Sequence, residues 1–372
     1  MRSAAAPATA LERTYPLRMQ HRLLRWLPAV VAPVVIAGVV TVPLVAAATP
    51  PQLPSKSAQQ VLELVAHAKD IAGFSGTVTQ TSALGLPSIP SAGPGSDSQT
   101  ASALDLISGD HSARVEVAGA TKERVAILDS SAERDLIRNG RSTWVWNSKT
   151  DSATHVTASA PASPDTATPT QTTTTPAQLA QELLSKVDGT TAVTVDSAQR
   201  VAHRDAYTLV LTPKTTGTTI GSVRIAVDAG TGLPLEVQVL ARGASSPAFD
   251  TRFTDISYAV PAASRFDFTP PSGAKVTTKT LTAPAKSHLH SSSGLGSGTK
   301  PTVQGSGWAS VVTVAASEVP SGLASNATVK RLSTPVAGGL ALETPLVNVL
   351  LTNDGRVLAG AVPVSTLESD AG

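Results

Sequence analysis

Two hydrophobic spacings alternate along this chain. At 61–71 apolar residues recur every three or four positions (Val61, Leu62, Leu64, Val65, Ala68, Ile71), placing them on one face of a helix over about 58–70. Ser57 and Gln60 stand where a capping box closes free amides at a helix start, and Gly73 ends the pattern. The spacing returns in Leu179, Leu183, Leu184 and Val187, after Thr175 and a proline at the first helical position, Pro176. Asp188-Gly189 closes that second helix. Between and beyond the helices the period is mostly two. Strand-like runs fall at 74–80, 104–106, 114–117, 125–128, 135–138 and 141–146, and Asn139-Gly140 between the last two is a strong hairpin signal. A second series covers 206–211, 222–227, 234–240 and 252–258, with the glycine turn 228–232 joining two of its members. Leu235, Val237 and Val239 face one way while Glu236, Gln238 and Leu240 face the other, as in an antiparallel sheet with one apolar face.

The breaks in these patterns give the organisation. Residues 83–98 and 157–175 are rich in Ser, Thr, Pro and small residues and read as loops. Pro270-Pro271 closes a domain over 56–275, a Ser/Gly/Lys/His linker covers 276–303, and 304–372 form a small unit whose one clear hairpin turns at 353–355. At the other end, Arg13, Arg18, Arg22 and Arg25 precede an uncharged run at 26–48, about long enough to span a bilayer at roughly 20 residues. Basic residues on the near side send the rest of the chain outward. The Ala46-Ala47-Ala48 stretch also fits signal cleavage, so residues 1–48 are expected to be a signal peptide or a membrane anchor. The protein is then expected at the extracytoplasmic face of the cell membrane, or secreted after cleavage.

Composition narrows the chemistry. Of 372 residues 41% are hydrophobic and only 3% aromatic, so Val, Leu, Ile and Ala must fill the core and each aromatic is a landmark. The net charge of +2 is too small and too diffuse for a nucleic-acid surface. The absence of cysteine excludes disulfides, thiolate zinc sites, cysteine nucleophiles and an acylated N-terminal cysteine.

No Gly-x-Ser-x-Gly elbow, His-Glu-x-x-His pair, phosphate loop or dinucleotide fingerprint occurs, so neither catalysis nor a cofactor nor a metal site is expected. His288 and His290 lie in a solvated serine tract. Asp228 and Asp354 sit in glycine turns without the further acidic ligands that calcium needs. Trp144 and Trp146, two apart on a strand, share a face that is either core or the wall of a pocket beneath the two helices.

The order of these elements carries a resemblance. A capped helix leads into Phe-Ser-Gly-Thr-Val-Thr-Gln at 74–80. There follow Asp-Leu-Ile-Arg-Asn-Gly-Arg-Ser-Thr-Trp-Val-Trp-Asn at 135–147, Val-Asp-Ala-Gly-Thr-Gly-Leu-Pro-Leu-Glu-Val-Gln-Val at 227–239, and Phe266-Asp267-Phe268 shortly before Pro270. Over roughly 56–275 the chain resembles the LolA-like superfamily, which includes lipoprotein carriers and the N-terminal domain of RseB/MucB-type sigma-factor regulators. The resemblance implies an α+β, mainly β fold: an unclosed antiparallel β-barrel whose concave face is covered by amphipathic helices, here followed by a small C-terminal β-containing unit. It implies a non-enzymatic binding protein holding a lipid or lipoprotein acyl chain, with a regulatory protein that binds an anti-sigma factor or other membrane protein as the alternative. The candidate cavity is lined by Trp144, Trp146, Leu136, Val125, Ile127, Leu209, Leu211, Leu235, Val237 and Val239, beneath lid residues Val61, Leu64, Val65, Leu179, Leu183 and Val187.

Overall fold

A computed structural model describes residues 51–85, 110–129, 132–158, 175–281, 301–319 and 322–372. The apolar run at 26–48 and the runs at 104–106 and 288–290 lie outside them. Among the described residues no helix is long and apolar enough to cross a membrane.

Twelve strands form one curved, unclosed sheet. In chain order they are β1 (Gly73–Ser82), β2 (His111–Ala118), β3 (Lys122–Asp129), β4 (Ala132–Asn139), β5 (Ser142–Asn147), β6 (Ser152–Ala158), β7 (Thr191–Val201), β8 (Arg204–Pro213), β9 (Ile220–Asp228), β10 (Pro234–Ala241), β11 (Pro247–Ser257) and β12 (Lys275–Leu281). Their spatial order is β12-β6-β5-β4-β3-β2-β1-β11-β10-β9-β8-β7, so among the described residues β12 and β7 are free edges and the barrel stays open. Every pairing is antiparallel except that of β12 with β6, which is parallel. The β4–β5 hairpin forms one residue later than Asn139-Gly140 suggests. Asn139 pairs with Ser142, leaving Gly140, at φ +61°, as the first of the two turn residues.

Two helices lie against the sheet. Helix α1 (Ala58–His67) opens with the full capping box between Ser57 and Gln60, and a single 3₁₀ turn finishes it before β1. Helix α2 (Pro176–Ser185) opens with the equivalent box between Thr175 and Gln178. The apolar stripe of each faces the sheet. Val61, Val65, Leu179 and Ala180 share one core with Leu209, Leu211, Val223, Ile225, Val237, Val239 and Phe249. A neighbouring cluster joins Phe74, Val78, Ala113, Val115, Val125 and Ile127 to Leu235 and Phe253. Burying each such side chain contributes about 1.5–3 kcal/mol, which explains how a chain so poor in aromatics holds its fold.

The C-terminal unit is a six-stranded antiparallel sheet: β13 (Thr302–Gln304), β14 (Val311–Val314), β15 (Thr334–Val336), β16 (Gly339–Leu342), β17 (Asn348–Thr352) and β18 (Val357–Gly360). Helices α3 (Ala327–Leu332) and α4 (Val364–Ala371) complete it, and α4 seals its core through Leu367. The unit is docked on the large sheet rather than free of it. Leu346 is buried in the main core, and Trp308, Val347 and Ala361 pack on that core. Thr218 Oγ1 and the Thr219 amide both donate to the Ala361 carbonyl, Thr219 Oγ1 to the Leu346 carbonyl, and Trp308 Nε1 to Thr191 Oγ1.

Candidate functional site

The inner face of the sheet, the one carrying α1 and α2, is the candidate site. Leu209 stands opposite Ile225 and Ile225 opposite Val237; Leu211, Val223, Val239 and Phe249 form the next row. Alternation along each strand sends all of these side chains to one side. Val61, Val65 and Leu179 meet them as buried residues, and Leu64, Leu183 and Val187 pack against them half-buried. Val125, Ile127 and Leu235 continue the face toward β1–β3. Leu136 lies opposite Val125, hence on the same face, and is half-buried.

The two tryptophans are elsewhere. Trp144 pairs with Ile137 and Trp146 with Asp135, whereas Leu136 pairs with Val145. The alternation that puts Leu136 inside therefore puts both indoles outside. There Trp144 stacks on His155 at 4.2 Å, and Phe268 lies 5.5 Å from Trp144 and 6.1 Å from Trp146. The segment carrying Phe268 is held by buried Phe266 and by Arg265, whose guanidinium donates to both Glu116 oxygens. Trp144 and Trp146 thus belong to an outer-face aromatic cluster and do not line a space beneath the helices.

The lid is fastened at the end of the barrel formed by the β7–β8 and β9–β10 turns. Tyr207 Oη donates to the Pro54 carbonyl at 3.0 Å, and the Lys56 ammonium lies 6.0 Å from the Tyr207 ring centre. Gly232, at φ +74°, brings the β9–β10 turn against the backbone of α1 at Leu64. That turn is organised by Asp228, which is fully buried. Its Oδ1 accepts the Gly230 and Thr231 amides, and its Oδ2 accepts Arg204 Nε at 2.7 Å and Tyr258 Oη at 3.1 Å. Burial pushes the Asp228 pKa up, but the bonds from Arg204, Thr231 and Gly230 outweigh it and hold the carboxyl below its ordinary value. Turn chemistry accounts for this aspartate fully.

Beneath the helices, Val61, Val65, Leu179 and Ala180 pack directly on the inner-face rows of the sheet. Two concavities stand out, and neither lies between helices and sheet. An open groove of about 610 Å³ runs past Leu53, Arg200, His203, Arg204, Asp205, Ala229 and Gly230. A cavity of about 150 Å³ sits on the outer face among Arg114, Glu116, Arg124, Ala126, Glu133 and Arg265. The apolar stripes of α1 and α2 lie on the inner-face rows where the sequence places the pocket. Among the described residues no group of three His, Asp or Glu is placed to hold a metal ion.

Sequence reasoning missed the outer-face carboxylates. Glu236 and Asp250 are 2% and 3% exposed on adjacent strands, bridged by Gln238 Nε2 at 3.2 Å to each. Arg252 pairs with both. Burial, reinforced by the Asp250 charge, pushes the Glu236 pKa from 4.5 up to about 7. Burial also raises Asp250, against the pull of Arg252. The alternation at 235–239 marked Glu236 as facing away from the apolar side; nothing in it showed that this side would be covered as well.

These features define a class: an open β half-barrel with an apolar inner face closed by two short helices, bolted to a second β unit. Solved structures similar to this chain include MucB of Pseudomonas aeruginosa in complex with MucA, at 18% identity and a TM-score of 0.40 over 84% of this chain and 96% of that one. Another is an uncharacterized conserved protein of Thermus thermophilus, at 12% identity and a TM-score of 0.34 over 60% of this chain and 99% of that one. A third is a LolA superfamily protein of Nitrosomonas europaea, at 13% identity and a TM-score of 0.23 over 57% and 99%. No family model matches the sequence, and no curated protein does.

Proposed function

We propose that this chain is an extracytoplasmic, non-enzymatic binding protein that takes up one hydrocarbon chain in place of its own lid. The observation that carries this reading is the cover of the inner face: two helices of ten residues each, which with Val187 just past the second present Val61, Leu64, Val65, Leu179 and Leu183 to Leu209, Leu211, Val237 and Val239. Three buried and three half-buried aliphatic side chains, at about 1.5–3 kcal/mol for full burial, stabilise the closed form by roughly 7–14 kcal/mol before the entropy of ordering them. A hydrocarbon chain of about 16 carbons recovers about 13 kcal/mol at about 0.8 kcal/mol per methylene. The exchange is near balance, so ligand can open the lid, and empty protein keeps it shut. The displaced helices are amphipathic and suit the surface of a bilayer, to which an anchor at 26–48 would hold them close.

Native mass spectrometry of protein extracted from membranes in mild detergent tests this. One co-purifying lipid per chain is expected, together with faster amide exchange in α1 and α2 on titration with a fatty acid. Adduct-free protein whose helices exchange at an unchanged rate would end the proposal. A second reading, a regulatory protein that binds a membrane protein partner, is favoured by the docked C-terminal unit, which a simple carrier does not need. Capture of a protein partner by lipid-free chain would select it.

A further inference from the structure

The edges of the two sheets are not alike. The sheet formed by β13–β18 ends in β13 and β15, each only three residues long. The large sheet ends on one side in β7, whose register breaks between Asp196 and Gln199 and which carries the Asp196–Arg224 pair. Short strands, bulges and charges of this kind are how proteins blunt an edge against unwanted pairing. The fourth edge, β12, carries charge in Lys275 and Lys279 but is neither short nor broken in register. Its seven residues run in unbroken register with β6, from Lys275 opposite Ser152 to Leu281 opposite Ala158, with no proline or glycine.

β12 is also exposed on both faces. Residues 275–280 are all exposed, Val276 at 52%, and none belongs to a hydrophobic core. The side chains of 275–280 add nothing to the core of their own sheet; what the strand adds is an outward row of backbone donors and acceptors with no partner strand among the described residues. Lys275 and Lys279 lie four apart, so they point to one face of that strand, and neither has an ion pair among the described residues.

We infer that the free edge of β12 is a docking edge for an extended, acidic segment of another protein, which adds to the sheet as a further strand. The two lysines select the occupant. Antiparallel pairing of two copies about Thr277 sets Lys275 of each opposite Lys279 of the other, and like charges directly opposite are unfavourable. A segment with acidic residues four apart places a carboxylate against each lysine instead. Main-chain hydrogen bonds then supply affinity and the charges supply register and choice of partner. The surface is remote in kind from the lid and does not depend on what the barrel holds.

Fluorescence anisotropy with the full chain and the synthetic peptide Thr-Val-Glu-Val-Thr-Val-Glu-Val-Thr tests the inference. The peptide should bind, slow amide exchange in β12, and weaken as salt is raised. Its counterpart with lysine in place of glutamate should bind about tenfold more weakly, as two attractive cross-strand pairs become repulsive. The double variant Lys275→Glu/Lys279→Glu, at exposed positions where the fold is not at stake, should reverse that preference. Equal binding of both peptides, or no slowing of exchange in β12, overturns the proposal. Dimerisation of the free protein through β12 at low salt would assign the edge to a second copy and overturn it equally.

Discussion

A Cβ atom built on Gly232 would lie 2.0 Å from the carbonyl oxygen of Leu64. The β9–β10 turn therefore touches helix α1 backbone to backbone, at φ +74°, where only glycine is comfortable. Gly232→Ala must both adopt a left-handed backbone and push α1 away. A loss of about 2–4 kcal/mol in global stability is expected. The more specific consequence is local: amides of α1 should exchange faster, while those of β8 and β9 keep their protection. Uniform loss across the sheet would show that α1 is not a separable cover.

The placement of Trp144 and Trp146 gives a spectroscopic prediction. Both indoles stand on the face opposite α1 and α2, against Phe268 and His155. In a variant with Trp26→Phe and Trp308→Phe, their fluorescence should be insensitive to fatty acids brominated along the chain, even when those acids bind. Quenching of Trp144 or Trp146 by bound brominated acid would return them to the cavity wall.

That outcome marks how far the sequence was legible. Both helices could be read because their capping boxes and stripes are local signals, formed within four residues of chain. The one-sided strands 206–211 and 234–240 could be read because their outward positions are polar. For Trp144 and Trp146 the alternation shows that they share a face but not which face, since the cover over them comes from residues 263–268, more than a hundred positions later. β7 escaped notice because its bulge breaks the period of two and only its two end residues are buried. β12 reads as linker because Lys-Val-Thr-Thr-Lys-Thr at 275–280 is exposed throughout and pairs with β6 through the main chain.

The Glu236–Asp250 pair makes stability depend on pH in an unusual direction. In the folded chain burial raises Glu236 to about 7, above its ordinary 4.5. Between these values the folded state holds a proton that the unfolded state has released, so stability falls as pH rises through this window. At about 1.4 kcal/mol per pKa unit the loss across the window is roughly 3–4 kcal/mol. Glu236→Gln keeps the shape and a hydrogen-bonding amide without the charge. It should flatten urea midpoints between pH 5 and 8 and stabilise the protein at pH 8; an unchanged slope would acquit this residue.

The β7–β8 turn is strained without need of glycine chemistry nearby. Ala202 and His203 sit at φ +48° and +62°, in the left-handed region that side chains disfavour. Replacing them by Asn-Gly, the pair that such two-residue hairpins prefer, should stabilise the fold by about 1 kcal/mol. The turn borders the groove lined by Arg200 and Arg204. If the double variant Ala202→Asn/His203→Gly gains stability but loses fatty-acid binding, the turn and its groove take part in uptake. A gain in stability with binding intact would leave the strain as a feature of the turn alone.

Leu346 joins the two β units through a shared core. It is 2% exposed, lies in the core that contains Leu209 and Val237, and its carbonyl accepts Thr219 Oγ1 at 2.6 Å. Leu346→Ala leaves a void at that junction and should cost about 2–5 kcal/mol. Because the void opens into the core of the large sheet, the loss should fall on both units together. Calorimetry should show a single transition for the native chain, moved to lower temperature in the variant with its shape kept. Two resolved transitions, of which only the smaller moves, would mean that the C-terminal unit folds by itself and merely rests against the barrel.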